Sequence, residues 1–134
     1  MITVSITINK PLEMVWECFT SPKHIMRWNF AANDWHCPSA INDLIEDGTF
    51  TYRMESKNKK FGFNLNGKFT MVDEPDELCY VLEDDRNVEV TFTEIDGDTK
   101  LIQRFDAEIE NSVELQRNSW QAILDNFKKY TEKQ

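Results

Sequence analysis

The chain has 134 residues, a hydrophobic share of 40% and a formal net charge of -9. That length fits one domain with a core of its own, which needs neither metal nor disulfide to fold. The acidic balance argues against a nucleic-acid partner, and no block of Lys and Arg marks an anionic membrane surface.

From the N-terminus, Ile2, Val4, Ile6 and Ile8 alternate with Thr3, Ser5 and Thr7. This predicts a first strand with one buried face, not a signal peptide. Asn9 reads as the cap of a helix with Pro11 in its first turn and an inner stripe of Leu12, Val15, Trp16 and Phe19. Ser21-Pro22 repeats the start signal, so a second short helix is expected to run to about Trp28 and bury Ile25 and Trp28. Residues 29–39, NFAANDWHCPS, show no periodicity and are predicted to be a loop.

Six further strands follow. The first spans residues 42–46 and turns at Asp47-Gly48. The next carries Phe50, Tyr52 and Met54 on one face and Thr51, Arg53 and Glu55 on the other. Residues 61–72 put Phe61, Phe63, Leu65, Phe69 and Met71 in phase, with Gly67 between them marking a bend or bulge. An acidic turn at residues 73–77 leads to a strand with Leu78, Tyr80 and Leu82, then one with Val88, Val90 and Phe92. Asp96-Gly97-Asp98 reads as a hairpin turn, and Leu101, Gln103, Phe105 and Ala107 lie on the last strand.

Residues 111–130, NSVELQRNSWQAILDNFKKY, contain no Pro or Gly. Val113, Trp120, Ile123, Leu124, Phe127 and Tyr130 recur at helical steps, Asn111 and Glu114 read as a capping box, and Lys128 and Lys129 suit the helix C-terminus. This long helix is expected to cover one face of one large sheet and to be the most buried helix. The fold class is α+β, and nothing divides the 134 residues into more than a single domain.

The strand–two helices–six strands–helix order resembles the helix-grip arrangement of the START-like (SRPBCC), birch-pollen-allergen-like superfamily. Asn9-Lys10-Pro11 with Val15-Trp16, and Thr20-Ser21-Pro22 with His24-Ile25 and Trp28, are similar to the prokaryotic branch of the heat-shock protein 90 ATPase activator homologue family. Asp43-Leu44 with Gly48 and Phe50, Val90-Thr91-Phe92, and Trp120 with Leu124 carry the same resemblance. Asp47 stands where that family often has the first of two glycines, and 134 residues leave no room for the additional chaperone-binding domain of the eukaryotic co-chaperone. The resemblance implies a curved seven-stranded antiparallel sheet wrapped around the C-terminal helix, with an apolar cavity between them. Relatives bind lipids, sterols or hormones, or cyclise polyketides, and fold does not select among these.

Candidate site residues follow from strand phase and from the loop. Trp28, Trp35, Phe63, Phe69, Phe92 and Trp120 are expected to give the cavity its apolar wall. His36 and Gln103 are expected to fix a ligand's polar end, with Tyr52 beside them. For Trp28, Trp35 and His36 two readings stand: a lid over an aromatic ligand, with His36 or Asn29 as a handle, or a loop folded down to fill the core. For Tyr52, Tyr80 and Gln103 the alternatives are ligand orientation and an internal hydrogen bond. Arg104 alternates outward.

The three cysteines, Cys18, Cys37 and Cys79, are odd in number and widely spaced, which predicts reduced thiols and a cytoplasmic home. His24, His36 and Cys37 lack metal-ligand spacing, so no metal or other cofactor is expected. No apolar stretch reaches the ~20 residues that span a bilayer. The leading functional reading is a binding module for a small hydrophobic or aromatic molecule, acting as a monomer or weak homodimer. The alternatives are a co-chaperone-like module with a protein partner, and a cyclase or hydrolase of an aromatic substrate. A roomy cavity favours binding or catalysis; a filled interior favours the protein partner.

Overall fold

Seven strands and three helices organise the chain in the computed structural model, which describes residues 1–134. In chain order they are β1 (Ile2–Ile8), α1 (Leu12–Thr20), α2 (Pro22–Trp28), β2 (Trp35–Asn42), β3 (Thr49–Ser56), β4 (Gly62–Asp73), β5 (Glu77–Leu82), β6 (Asn87–Ile95), β7 (Asp98–Phe105) and α3 (Val113–Thr131). Every strand pair is antiparallel, in one curled sheet of order β1-β7-β6-β5-β4-β3-β2. Strands β2 to β7 follow one another as a meander. Only β1 is displaced, pairing with β7, so α1 and α2 carry the chain from one edge of the sheet to the other.

An aromatic cluster joins the helices to β6. Phe19 of α1 touches Trp28 of α2, Phe92 of β6 and Phe127 of α3, with ring centroids 5.2, 5.5 and 5.3 Å away. Trp16 packs edge-on against Phe92 at 5.3 Å. Such edge-to-face pairs add to the burial that drives the packing. On the neighbouring stretch of sheet, Phe50 lies over Gly67, its register partner on β4. A Cβ at Gly67 would stand 2.3 Å from the Phe50 ring, so the glycine makes room for that ring and is not the site of the bulge.

The bulge on β4 falls three residues later. Phe69 pairs with Tyr80 and Met71 with Cys79, which leaves Thr70 extra. Phe69 therefore stays buried while Met71 turns outward, and the two do not share a face as simple alternation predicts.

Three other expectations change. Strand β2 spans Trp35–Asn42, so residues 35–39 are not a loop and residues 43–46 are not strand; a register shift between His36 and Ser39, beside Pro38, hides the alternation. Proline is tolerated there because β2 is the outermost strand. The caps also move. Pro11 precedes α1 as its N-cap, and Ser112, not Asn111, caps α3 by accepting from the Leu115 amide. Finally, α1 buries five of its nine residues and α3 four of nineteen, so α1 is proportionately the more buried helix. The reason is position: α3 packs chiefly on β1, α1 and α2, which leaves its other flank off the sheet.

Asp47, in the turn after β2, has a φ of 65°. Aspartate is among the few side chains that visit this left-handed conformation readily. Gly48 beside it is under a different constraint, since a Cβ would stand 2.0 Å from the Asp43 carbonyl oxygen.

Candidate functional site: a cavity under the C-terminal helix

Because α3 leans toward β1, the concave face of β3, β4 and β5 is left partly uncovered. The space between them is a cavity of about 620 Å³, with 18 hydrophobic residues among the 26 that line it. Strand alternation supplies the floor: Phe50, Tyr52 and Met54 from β3, Leu65 and Phe69 from β4, and Leu78 and Tyr80 from β5. Helical spacing supplies the roof, with Gln116, Trp120, Ile123 and Leu124 of α3 facing inward. Trp120 stacks flat on Phe105 of β7 at 3.7 Å, which fixes the plane of its ring beside the cavity. At one end stand Phe30, Ala31 and Ala32 of the α2–β2 connection, with Trp35 and Phe63 paired at 6.1 Å.

Polar groups within this wall are few and mostly tied to one another. The Asn42 amide nitrogen donates to the Thr20 carbonyl at 2.8 Å and to the Tyr52 hydroxyl at 3.1 Å. Gln103 Nε2 donates to the Tyr80 hydroxyl at 3.3 Å. Gln116 is buried and stitches the β7–α3 connection: its Oε1 accepts from the Glu108 amide at 2.9 Å and its Nε2 donates to the Asn111 carbonyl at 2.9 Å. At the rim, Arg86 Nε donates to Asp84 at 2.7 Å.

Burial raises the Tyr52 phenol from 10.0 to about 12, against a smaller lowering by its bond to Asn42. It raises the Tyr80 phenol as well. Burial likewise lifts the Cys37 thiol from 9.0 to about 11. Each acid holds its proton more tightly folded than unfolded, so its stabilising contribution is complete below the unfolded value and is lost as pH rises through the folded one. Stability measured by urea titration is therefore expected to stay level up to about pH 9 and to fall between about pH 9 and 12. Tyr52→Phe should flatten part of that fall; an identical profile in the variant would show that Tyr52 does not contribute.

Of the residues expected at the site, seven line the cavity: Trp28, Trp35, Tyr52, Phe63, Phe69, Gln103 and Trp120. Two do not. Phe92 lies beneath Trp16 and Phe19, because α1 covers that part of β6, and it belongs to the packed core. His36 is on β2, 42% exposed, with its Nε2 3.9 Å from Glu55. Asn29, the alternative handle, lines the cavity with its amide 3.8 Å from the Met54 sulfur. Sequence reasoning turned Tyr80 inward, with ligand orientation and an internal hydrogen bond as its two readings, and missed Gln116 altogether, although Gln116 stands one turn before Trp120 on the same helix face. The aromatics near the α2–β2 connection divide their roles: Trp28 joins the core as well as the wall, donating to the Cys18 carbonyl at 2.9 Å, and Trp35 stays at the rim.

His24 and His36 are kept apart by different partners, Tyr130 and Glu55, and no three His, Cys, Asp or Glu side chains converge as a metal site would need. The three cysteines are free thiols. No helix is long and apolar enough to cross a membrane. Arg104 is exposed across from Glu89 on β6.

Comparison with known families matches residues 9–132 to the model described as activator of Hsp90 ATPase homolog 1-like protein. Among solved structures, an AHSA1-like protein from Aeromonas hydrophila is 39% identical, with a TM-score of 0.91 over 98% of this chain and 93% of that one. A protein from Cytophaga hutchinsonii is 41% identical, with a TM-score of 0.85 over 98% of this chain and 92% of its own. CalU16 from Micromonospora echinospora shares the fold at 22% identity, with a TM-score of 0.70 over 96% of this chain and 74% of that one. No curated protein matches the chain.

Proposed function

The chain belongs to the activator of Hsp90 ATPase homolog 1-like family, and from that premise we propose that it binds a small hydrophobic or aromatic molecule between α3 and the sheet. One observation carries the reading: a cavity of about 620 Å³ whose wall is mainly apolar, with 18 hydrophobic residues among 26. Spaces of that size and character are what small-molecule sites look like, and an interaction module has no need of one. Catalysis is less well supported. The lining holds no histidine and a single carboxylate, Glu108, which leaves the floor without a general base. A protein-interaction role is the second reading, favoured by Ile41 on the edge strand β2 and Phe61 in the β3–β4 connection, 69% and 67% exposed.

The experiment is a native-mass and thermal-shift screen against lipids and aromatic compounds. A ligand that binds only the folded state raises the melting temperature by mass action. Phe63→Ala, which removes apolar wall, should weaken the ligand by roughly tenfold. Arg104→Ala should leave affinity within about twofold, since the side chain points away from the cavity. A ligand whose affinity responds only to outward-facing substitutions would place the site elsewhere, and a broad screen without a hit would shift the reading to the protein partner.

A further inference from the structure

The hydrogen bonds on the cavity floor leave donors without acceptors. The Thr20 carbonyl only accepts, so the Asn42 atom 2.8 Å from it must be the amide nitrogen. That same nitrogen is 3.1 Å from the Tyr52 hydroxyl, which makes the Tyr52 oxygen the acceptor of this bond. The hydrogen on Tyr52 finds no acceptor in the protein. At Tyr80 the pattern repeats, with the hydroxyl accepting from Gln103 at 3.3 Å and its own hydrogen uncommitted. Turning the Gln103 amide over would only transfer the free donor to its nitrogen. Gln103 is 6% exposed, and its side-chain carbonyl has no partner where it meets the cavity.

The two hydroxyls belong together. Tyr52 on β3 and Tyr80 on β5 flank β4, and both rings rest on Phe50, at 4.7 Å stacked and 5.2 Å edge-on. Both line the same cavity. Neither stands beside a cation: the one basic residue in the lining, Arg86, is already paired with Asp84. A carboxylate brought to this floor would lose its hydration without gaining a counter-charge. The burial that raises both phenols acts against any other anion placed there.

We propose that the cavity selects a neutral, largely apolar molecule bearing a carbonyl-type oxygen, which accepts the free hydroxyl hydrogens of Tyr52 and Tyr80. This rests on the reading of the cavity as a ligand site and adds the chemical class of the ligand. Two donors opening on one cavity suit a ketone, ester or amide carbonyl, whose oxygen has lone pairs to accept them. Phe50, Phe69 and Trp120 around them supply flat apolar contact.

Three probes of similar shape test it: benzophenone, diphenylmethane and diphenylacetate, titrated into the ¹⁵N-labelled protein and followed by amide chemical shifts. Benzophenone is expected to bind about tenfold more tightly than diphenylmethane, the worth of a net hydrogen bond, and more tightly than diphenylacetate. In the Tyr52→Phe/Tyr80→Phe protein the ratio of benzophenone to diphenylmethane affinity should fall to about twofold or less, because only the hydroxyls are gone. The amide spectrum of that variant reports whether it is folded, and each single Tyr→Phe substitution, expected to give an intermediate ratio, provides a second reading. Equal binding of benzophenone and diphenylmethane, or a preference that survives both substitutions, overturns the proposal while leaving the cavity a ligand site. Tightest binding by diphenylacetate, abolished by Arg86→Gln, overturns it in favour of an anionic ligand held at the rim. No shift with any of the three overturns the ligand-site reading itself, and this proposal with it.

Discussion

Truncating Phe127 to alanine is expected to cost about 3–5 kcal/mol of folding free energy. Its ring is fully buried and lies edge-on to Phe19 at 5.3 Å and to Trp28 at 4.7 Å. Those partners belong to α1 and α2, so one side chain ties all three helices together, and Phe19 in turn rests on Phe92 of the sheet. The ring's neighbours are themselves pinned: Trp28 donates to the Cys18 carbonyl, and Asn126 of α3 donates to the Trp28 carbonyl at 3.0 Å. Such a site cannot collapse freely around the missing ring, which places the cost in the upper part of the usual range for core truncations. Chemical denaturation measures it; a loss below ~1 kcal/mol would show that α3 does not pack as described. Trp120 is the informative contrast. Helical phase marks it as an equal anchor, yet one flank faces the cavity, so less packing is lost there. Trp120→Ala is expected to cost about 1–3 kcal/mol, mainly through its stacking on Phe105.

The same contrast shows what periodicity can and cannot convey. Alternation in β1 and the helical spacing in α3 follow directly from which faces are covered, and both elements stand where those patterns put them. Residues 35–39 were not legible because Pro38 and the register shift next to it break the alternation that would have marked β2. The same cause misplaced His36, whose position on an edge strand turns it toward Glu55. In β4 the extra residue Thr70 reverses phase after Phe69, so Met71 emerges on the other face. Phase also cannot tell wall from core. Phe69 and Phe92 both point to the concave side of the sheet, but α1 packs directly on Phe92, whereas an open cavity separates the floor around Phe69 from α3. That distinction depends on where the helices settle across the sheet, a long-range fact that no local pattern carries. Tyr80 and Gln103 show the same limit at the level of hydrogen bonds. Their inward direction is legible, whereas the donor left over between them emerges only once Gln103 on β7 and Tyr80 on β5 are brought together.

Filling the cavity should abolish binding without unfolding the protein. Ser119 of α3 and Leu65 of β4 line the space from the roof and the floor, and both are half-buried beside it. Replacing the two together by tryptophan puts bulk into volume that is already open. Overpacking costs about 1–3 kcal/mol when a core is full, so the double variant should lie at or below the low end of that range. Benzophenone affinity, by contrast, is expected to fall by about a hundredfold, or about 2.8 kcal/mol, because the ligand must compete with two indole rings for one cavity. The pair of measurements separates causes that a single alanine scan would mix. Loss of binding with retained stability locates the ligand between α3 and the sheet. Unchanged affinity in a folded variant whose cavity is filled would mean that the molecule binds on the surface, where Ile41 and Phe61 are the exposed apolar residues to test next.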